Sequence, residues 1–236
     1  MRTTVIVTLI LLAFAAPSRA GPFEDGISAL DAGDYEAAAA AFERGAKEGH
    51  VEAMVELARL YLSGDGDRTV AAQWLKKAAD GGSVLAYFLH GKLLLEGIDG
   101  PPDPTGARAY LEMAAKGQYA AAAYELGLLY RDGIGGERNA VAAARYLQQA
   151  ANGHVLEAEH AFGAMQALGQ GIEPDVVAGG VWLKLAEQGG DRDLSPDLDR
   201  LVSLATVEQM AEIDRRLSAY SESTRPMIGG DHVDPR

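Results

Sequence analysis

Between residues 119 and 154, in the stretch YAAAAYELGLLYRDGIGGERNAVAAARYLQQAANGH, apolar residues fall on two separate helical faces. Ala122, Leu126, Leu129 and Tyr130 recur at the i, i+4, i+7, i+8 spacing of a single face, with Glu125 and Arg131 off it. Asp132-Gly133-Ile134-Gly135-Gly136 stops this first helix, because glycine enters the left-handed region at little steric cost and lets the chain reverse. Asn139 is placed to cap the next helix, whose stripe is Ala143, Tyr146, Leu147, Ala150 and Ala151, and Gly153 ends it. The pattern predicts two antiparallel helices that share one buried side.

The same pattern returns every 33 to 36 residues. A capping column reads Asp67, Asp103, Asn139, Asp175, and seven residues later an aromatic column reads Trp74, Tyr110, Tyr146, Trp182. Four residues beyond each aromatic stands Ala78, Ala114, Ala150 or Ala186. In the first helices a small residue recurs as Ala58, Gly91, Gly127, Gly163, where two helices can approach closely. A helix-turn-helix period of this length predicts an all-α fold, an α/α solenoid superhelix in which each hairpin buries its face against its neighbours.

Four repeats are expected, at residues 51–82, 83–118, 119–154 and 155–190. Residues 21–50 read as an N-terminal capping hairpin, with a first helix from Phe23 to Ala32, Asp34 as cap and a second helix from Tyr35 to Lys47. Gly179 and Gly180 weaken the second helix of the last repeat by roughly 1 kcal/mol each relative to alanine, which points to close packing there. Residues 191–220 read as C-terminal capping helices. Ser195-Pro196 starts the first, and Thr206-Val207-Glu208-Gln209 forms a capping box for the second, with Val207, Met210, Ile213, Leu217 and Tyr220 on one side. Residues 221–236 are turn-prone and polar and read as a disordered tail.

Residues 1–20 read as a secretory signal. Arg2 supplies the positive start, Val5 to Ala16 is an apolar run, Pro17 breaks it, and Ser18-Arg19-Ala20 suits cleavage after Ala20, with Ala15 as the rival cut. A membrane span needs about 20 apolar residues, so this run is too short, and no stable membrane anchor is expected after cleavage. The expected location is periplasmic or secreted.

Charge narrows the partners. The formal net charge of −13 becomes −15 for a chain starting at Gly21, because Arg2 and Arg19 are the only charges before it. Such a chain repels phosphate, and no basic run interleaved with aromatics occurs, so nucleic acid is not an expected partner. The absence of cysteine removes disulfides, thiolate nucleophiles and cysteine zinc sites.

The central copy, with Leu126-Gly127-Leu128-Leu129-Tyr130, the turn Arg131 to Gly136, Asn139, Ala143, Arg145-Tyr146 and Ala150-Ala151, resembles the Sel1-like repeat, a relative of the tetratricopeptide repeat. The likeness covers residues 34–190 and extends to flanking segments similar to exported bacterial members. It implies an α/α superhelix that binds other proteins, with members acting as adaptors in signalling, envelope processes and host contact. The chain departs from the family pattern at Ala58, where glycine is usual, and at Gln166, where tyrosine is expected. Cysteine-rich exported relatives have been linked to penicillin binding, and a chain without cysteine inherits nothing from them.

No catalytic constellation is found. G-x-S-x-G, S-x-x-K, H-E-x-x-H and a P-loop are all missing, and the glycine runs lie between helices and not after strands. In the cluster His154-Val155-Leu156-Glu157-Ala158-Glu159-His160 only Glu157 and His160 share a helical face, so it reads as an exposed polar surface and not a metal site. No cofactor is expected. The expected role is that of a non-catalytic scaffold with a protein or peptide partner in a concave groove lined by the first helix of each repeat. Its candidate residues, taken from aligned columns, are Glu52, Leu85 and Glu157; Glu56, Leu89 and Glu125; and Arg59, Lys92 and Leu128. A fourth column, Val55, Phe88, Tyr124, His160, fits packing better than ligand stacking. The alternatives are an envelope hydrolase or transferase acting on cell-wall peptides, in which Glu157 or His160 would be needed, and a secreted protein that contacts a host factor.

Overall fold

The computed structural model describes residues 21–63, 66–98, 100–191 and 195–224, and the expected signal segment and residues 225–236 of the expected tail lie outside them. Among the described residues there are twelve α-helices and no strand. They pair as α1 (Pro22–Asp31) with α2 (Tyr35–Lys47), α3 (Val51–Leu62) with α4 (Arg68–Asp80), and α5 (Val84–Glu96) with α6 (Pro104–Lys116). The next pairs are α7 (Ala120–Asp132) with α8 (Ala140–Asn152) and α9 (Leu156–Leu168) with α10 (Val176–Gly189). Two trailing helices, α11 (Ser195–Leu204) and α12 (Val207–Thr224), pack on α10. Each hairpin then touches the next through its second helix, as the repeat pattern requires of a solenoid.

Second helices begin where a carboxylate or amide oxygen can meet their free amides. Asp34 accepts from the Ala37 amide, Asp67 from Thr69 and Val70, Asp103 from Gly106, Asn139 from Ala142 and Asp175 from Ala178. First helices mostly start without a side-chain cap; Ser83, which accepts from the Ala86 amide, is the exception. Left-handed residues turn the chain after each second helix, at Gly49, Gly82, Gln118, His154 and Gly190. The turn after α8 therefore falls on His154, one residue beyond Gly153, where glycine alone would have suggested it.

The core is a chain of clusters and has no single centre. The largest joins Leu111 and Ala115 of α6 to Leu126 and Leu129 of α7, Leu147 and Ala151 of α8, and Phe162 and Met165 of α9. The small-residue column lets helix pairs close. A Cβ on Gly127 would stand 2.7 Å from the Leu147 side chain, and one on Gly163 would stand 2.9 Å from the Gly179 carbonyl oxygen. Gly179 is tighter still, with backbone atoms of Ala167 and Gly163 at 2.5 and 2.6 Å. The expectation of close packing at Gly179-Gly180 holds, since Gly180 lies against Ile213 of α12.

At the trailing end the capping box forms as expected. The Thr206 amide donates to Gln209 Oε1 and the Gln209 amide to Thr206 Oγ1. Ile213 and Leu201 are buried beside Leu183 and Ala186. Val207 is not part of that stripe, being 83% exposed, because it is the first residue of α12 and precedes the part, from Met210 on, that packs on α10. The helix continues to Thr224, past the residue 220 expected from the sequence.

Candidate functional site

The nine candidate residues lie on α3, α5, α7 and α9, and the structure divides them into three kinds. Leu85 and Leu89 are half-buried against the cluster between α3 and α6, and Leu128 leans on the larger central cluster, so these leucines support the core as well as lining the face. Glu56 and Arg59 pair within α3 at 3.1 Å, and Lys92 of α5 reaches Glu125 of α7 at 3.2 Å. That second pair spans two repeats and makes their first helices adjoin. Glu52 and Glu157 are exposed near the starts of α3 and α9. Glu52 also borders an open depression of ≈ 450 Å³ formed by Glu48 to Glu52 and Gly81 to Ser83.

The fourth column packs, as expected for its first three members. Val55 is buried, Phe88 packs against Tyr119 with ring centroids 4.9 Å apart and planes tilted by 42°, and Tyr124 leans on the central cluster. Burial raises the pKa of the Tyr124 hydroxyl, and the charges of Glu157, Glu125 and Asp191 raise it further against the opposing pull of Arg131. Carboxylates from α7, α9 and the segment after α10 therefore gather around one phenol.

The cluster from His154 to His160 differs from the exposed polar surface expected. Glu159 is only 7% exposed, and burial pushes its carboxyl pKa up, with His154 at 3.8 Å lowering it in part. The equivalent position one period earlier, Ala123, is also buried, and on α12 the Glu159 charge adds to burial in raising the pKa of Tyr220. His160 is half-buried, with Nδ1 2.9 Å from Asp191 Oδ2 and Nε2 2.7 Å from Asp197 Oδ2. The two carboxylates lie on opposite sides of the ring and do not converge on one point. Among the described residues no group of three or more His, Asp or Glu side chains is placed to hold a metal ion, and no helix is long and apolar enough to cross a membrane.

The raised Glu159 pKa has a testable sign. A carboxyl whose folded-state pKa lies above its unfolded value stabilises the fold below the unfolded pKa of about 4.3, and that contribution is lost as pH rises through the folded-state pKa. At neutral pH the buried charge is a penalty. Glu159→Gln is expected to raise the denaturation midpoint at pH 7.5, by about 1 kcal/mol in stability, and to leave it nearly unchanged at pH 4. Urea titrations of both proteins at the two pH values measure this, and destabilisation at pH 7.5 would mean that the carboxylate is held by partners that satisfy its charge.

With this geometry in place, comparison with known proteins decides the family. The Sel1 repeat model matches residues 51–83, 84–119, 120–154 and 156–191. The chain belongs to the Sel1-repeat family. Among curated proteins no sequence match is found. Similar solved structures include a protective antigen present in uropathogenic Escherichia coli strains displaying an SLR fold, at 20% identity and a TM-score of 0.74, over 91% of this chain and 50% of that one. This chain thus spans about half the length of that structure. A Sel1 repeat protein from Oxalobacter formigenes is similar at 23% identity and a TM-score of 0.69, over 80% of this chain and 84% of its own. Both likenesses concern the fold. Sel1-repeat proteins are generally protein-interaction scaffolds, and the fold is generally non-catalytic.

Proposed function

We propose that this Sel1-repeat chain is an exported bacterial scaffold that binds a protein partner along the first helices of its repeats. The supporting observation is the Lys92–Glu125 pair, which joins α5 to α7 at the surface and makes one continuous strip from separate repeats. Beside it lie the half-exposed Leu85, Leu89 and Leu128 and the Glu56–Arg59 pair. Mixed apolar and paired-charge surface of this kind suits a protein better than a small molecule. Export rests on the positive start, apolar run and small-residue cut of residues 1–20. An adaptor or regulator of an envelope process is the role that combines the two.

Arg59→Glu with Lys92→Glu tests the strip, because it sets like charges against Glu56 and Glu125 without touching a buried side chain. Tagged mature protein is crosslinked in bacterial cells and its partners are quantified beside those of the double variant, with circular dichroism to check helix content. Partner yield is expected to fall about tenfold, which is the 1.4 kcal/mol scale of losing and reversing rim charges. Recovery of the same partner at equal yield, or of no partner from the periplasmic fraction, would remove the proposal.

A further inference from the structure

Two depressions occupy the same place in different repeats, where the end of a second helix meets the turn before it in the stack. One lies between the turns at Gly49 and Gly81, and the other, two periods on, lies between those at Gln118 and Gly153. Their walls carry different chemistry. The first presents Glu48, His50 and Glu52. The second, of ≈ 370 Å³, is walled by Gln118, Arg145, Gln148, Gln149 and Asn152, and no carboxylate lines it. Arg145, Gln148, Gln149 and Asn152 follow the i, i+3, i+4, i+7 spacing of one face of α8, so a single helix supplies most of this wall.

The cation in that wall is held by rings. Arg44, Arg59, Arg68 and Arg131 each pair with a carboxylate. Arg145 makes no ion pair among the described residues, and its guanidinium lies 4.5 Å from the centroid of the Tyr146 ring. Tyr146 in turn stacks on Tyr130, with centroids 5.6 Å apart and planes 15° from parallel. Tyr130 is itself fixed, since its hydroxyl donates to Glu112 Oε1 at 2.6 Å and Arg108 lies 3.9 Å from its ring centroid. A guanidinium laid on a ring spends its face there and keeps its in-plane N–H groups for an acceptor. Beside it Gln149 Nε2 donates to the Ala115 carbonyl at 2.7 Å, which orients that carboxamide.

A planar guanidinium fork matches a carboxylate, and a carboxamide, which both donates and accepts, matches a peptide group. We infer that the depression between Gln118 and Asn152 binds the C-terminal end of a peptide, with the terminal carboxylate on Arg145 and the last peptide groups on Gln148, Gln149 and Asn152. Overall charge selects this occupant over an acidic polysaccharide. A chain of −15 after residue 20 repels a polymer that carries a carboxylate on every sugar, whereas a peptide end brings one negative charge to the one place where the wall holds a cation and no acid. The site shares no residue with the first-helix strip and stands whether or not that strip binds a partner.

Titration of ¹⁵N-labelled full-length mature protein with N-acetyl tetra-alanine tests the site. The form with a free C-terminal carboxylate is expected to shift, saturably, the side-chain resonances of Arg145, Gln148, Gln149 and Asn152, and the form with a C-terminal carboxamide is expected to bind about tenfold more weakly. Arg145→Gln, at an exposed position, is expected to weaken the carboxylate form by about the same factor and to leave the carboxamide form unchanged. Gln148→Glu, which sets a like charge beside the ligand, is expected to act in the same direction. Arg59→Glu with Lys92→Glu is expected to leave this titration unaltered, which separates the site from the strip. Equal affinity for the two peptide forms, an Arg145→Gln protein that binds as the wild type does, absence of any saturable shift, or saturation by digalacturonate and not by the peptide overturns the inference.

Discussion

Gly179→Leu is expected to cost about 3 kcal/mol or more, the upper end of what overpacking a helix contact costs. At this crossing the obstacle is backbone. A side chain on Gly179 runs into the Ala167 amide and the Gly163 carbonyl of α9, and neither can rotate away. Gly127→Leu meets the Leu147 side chain, which can shift rotamer, so about 1–3 kcal/mol is expected there. Ala161→Leu, on the partly exposed side of α9, should cost least. Urea midpoints are the quantity to compare, because a repeat array unfolds in more than one cooperative unit. A graded order, Gly179 before Gly127 before Ala161, supports these helix contacts, whereas equal shifts would mean that the repeat register is misplaced.

Such contacts were legible in the sequence because they recur. Gly127 and Gly163 stand one period apart, and the cap, aromatic and alanine columns repeat in the same register, so each copy corroborates the others. Residues outside the period had no such support. Asp197 follows the last repeat, and its meeting with His160 depends on how α11 folds back, which no column records. Glu159 is a different case, because it stands one period after Ala123, which is fully buried, so the column itself marks the position as inward. Lys92 and Glu125 were both picked out as surface residues, but their pairing is a contact between adjacent first helices. A column aligns equivalent positions and does not say which positions in neighbouring copies touch. The partner-binding strip shares this limit, because its chemistry lies in residues that differ from copy to copy.

Phe42→Ala tests the other consequence of a chain of clusters. Phe42 is fully buried in α2, beside the Phe23 ring at 5.9 Å and directly over Gly26 of α1, and truncating such a residue costs about 3–5 kcal/mol. In a single-core domain that loss would lower the stability of every helix. Here the first hairpin packs chiefly on α3, so its detachment forfeits one interface and leaves the others intact. The loss felt by the rest of the array cannot exceed what that interface contributes. Amide exchange in residues 21–50 is therefore expected to accelerate strongly, while α7 and α8, beyond the four intervening helices, keep wild-type protection. Leu147→Ala, with Leu147 fully buried in the central cluster against α7, is expected to reverse the pattern and loosen the helices on both sides. If Phe42→Ala instead raised exchange equally in α2 and α8, the chain would behave as one cooperative body, and its stability could not be assigned to neighbouring pairs of hairpins.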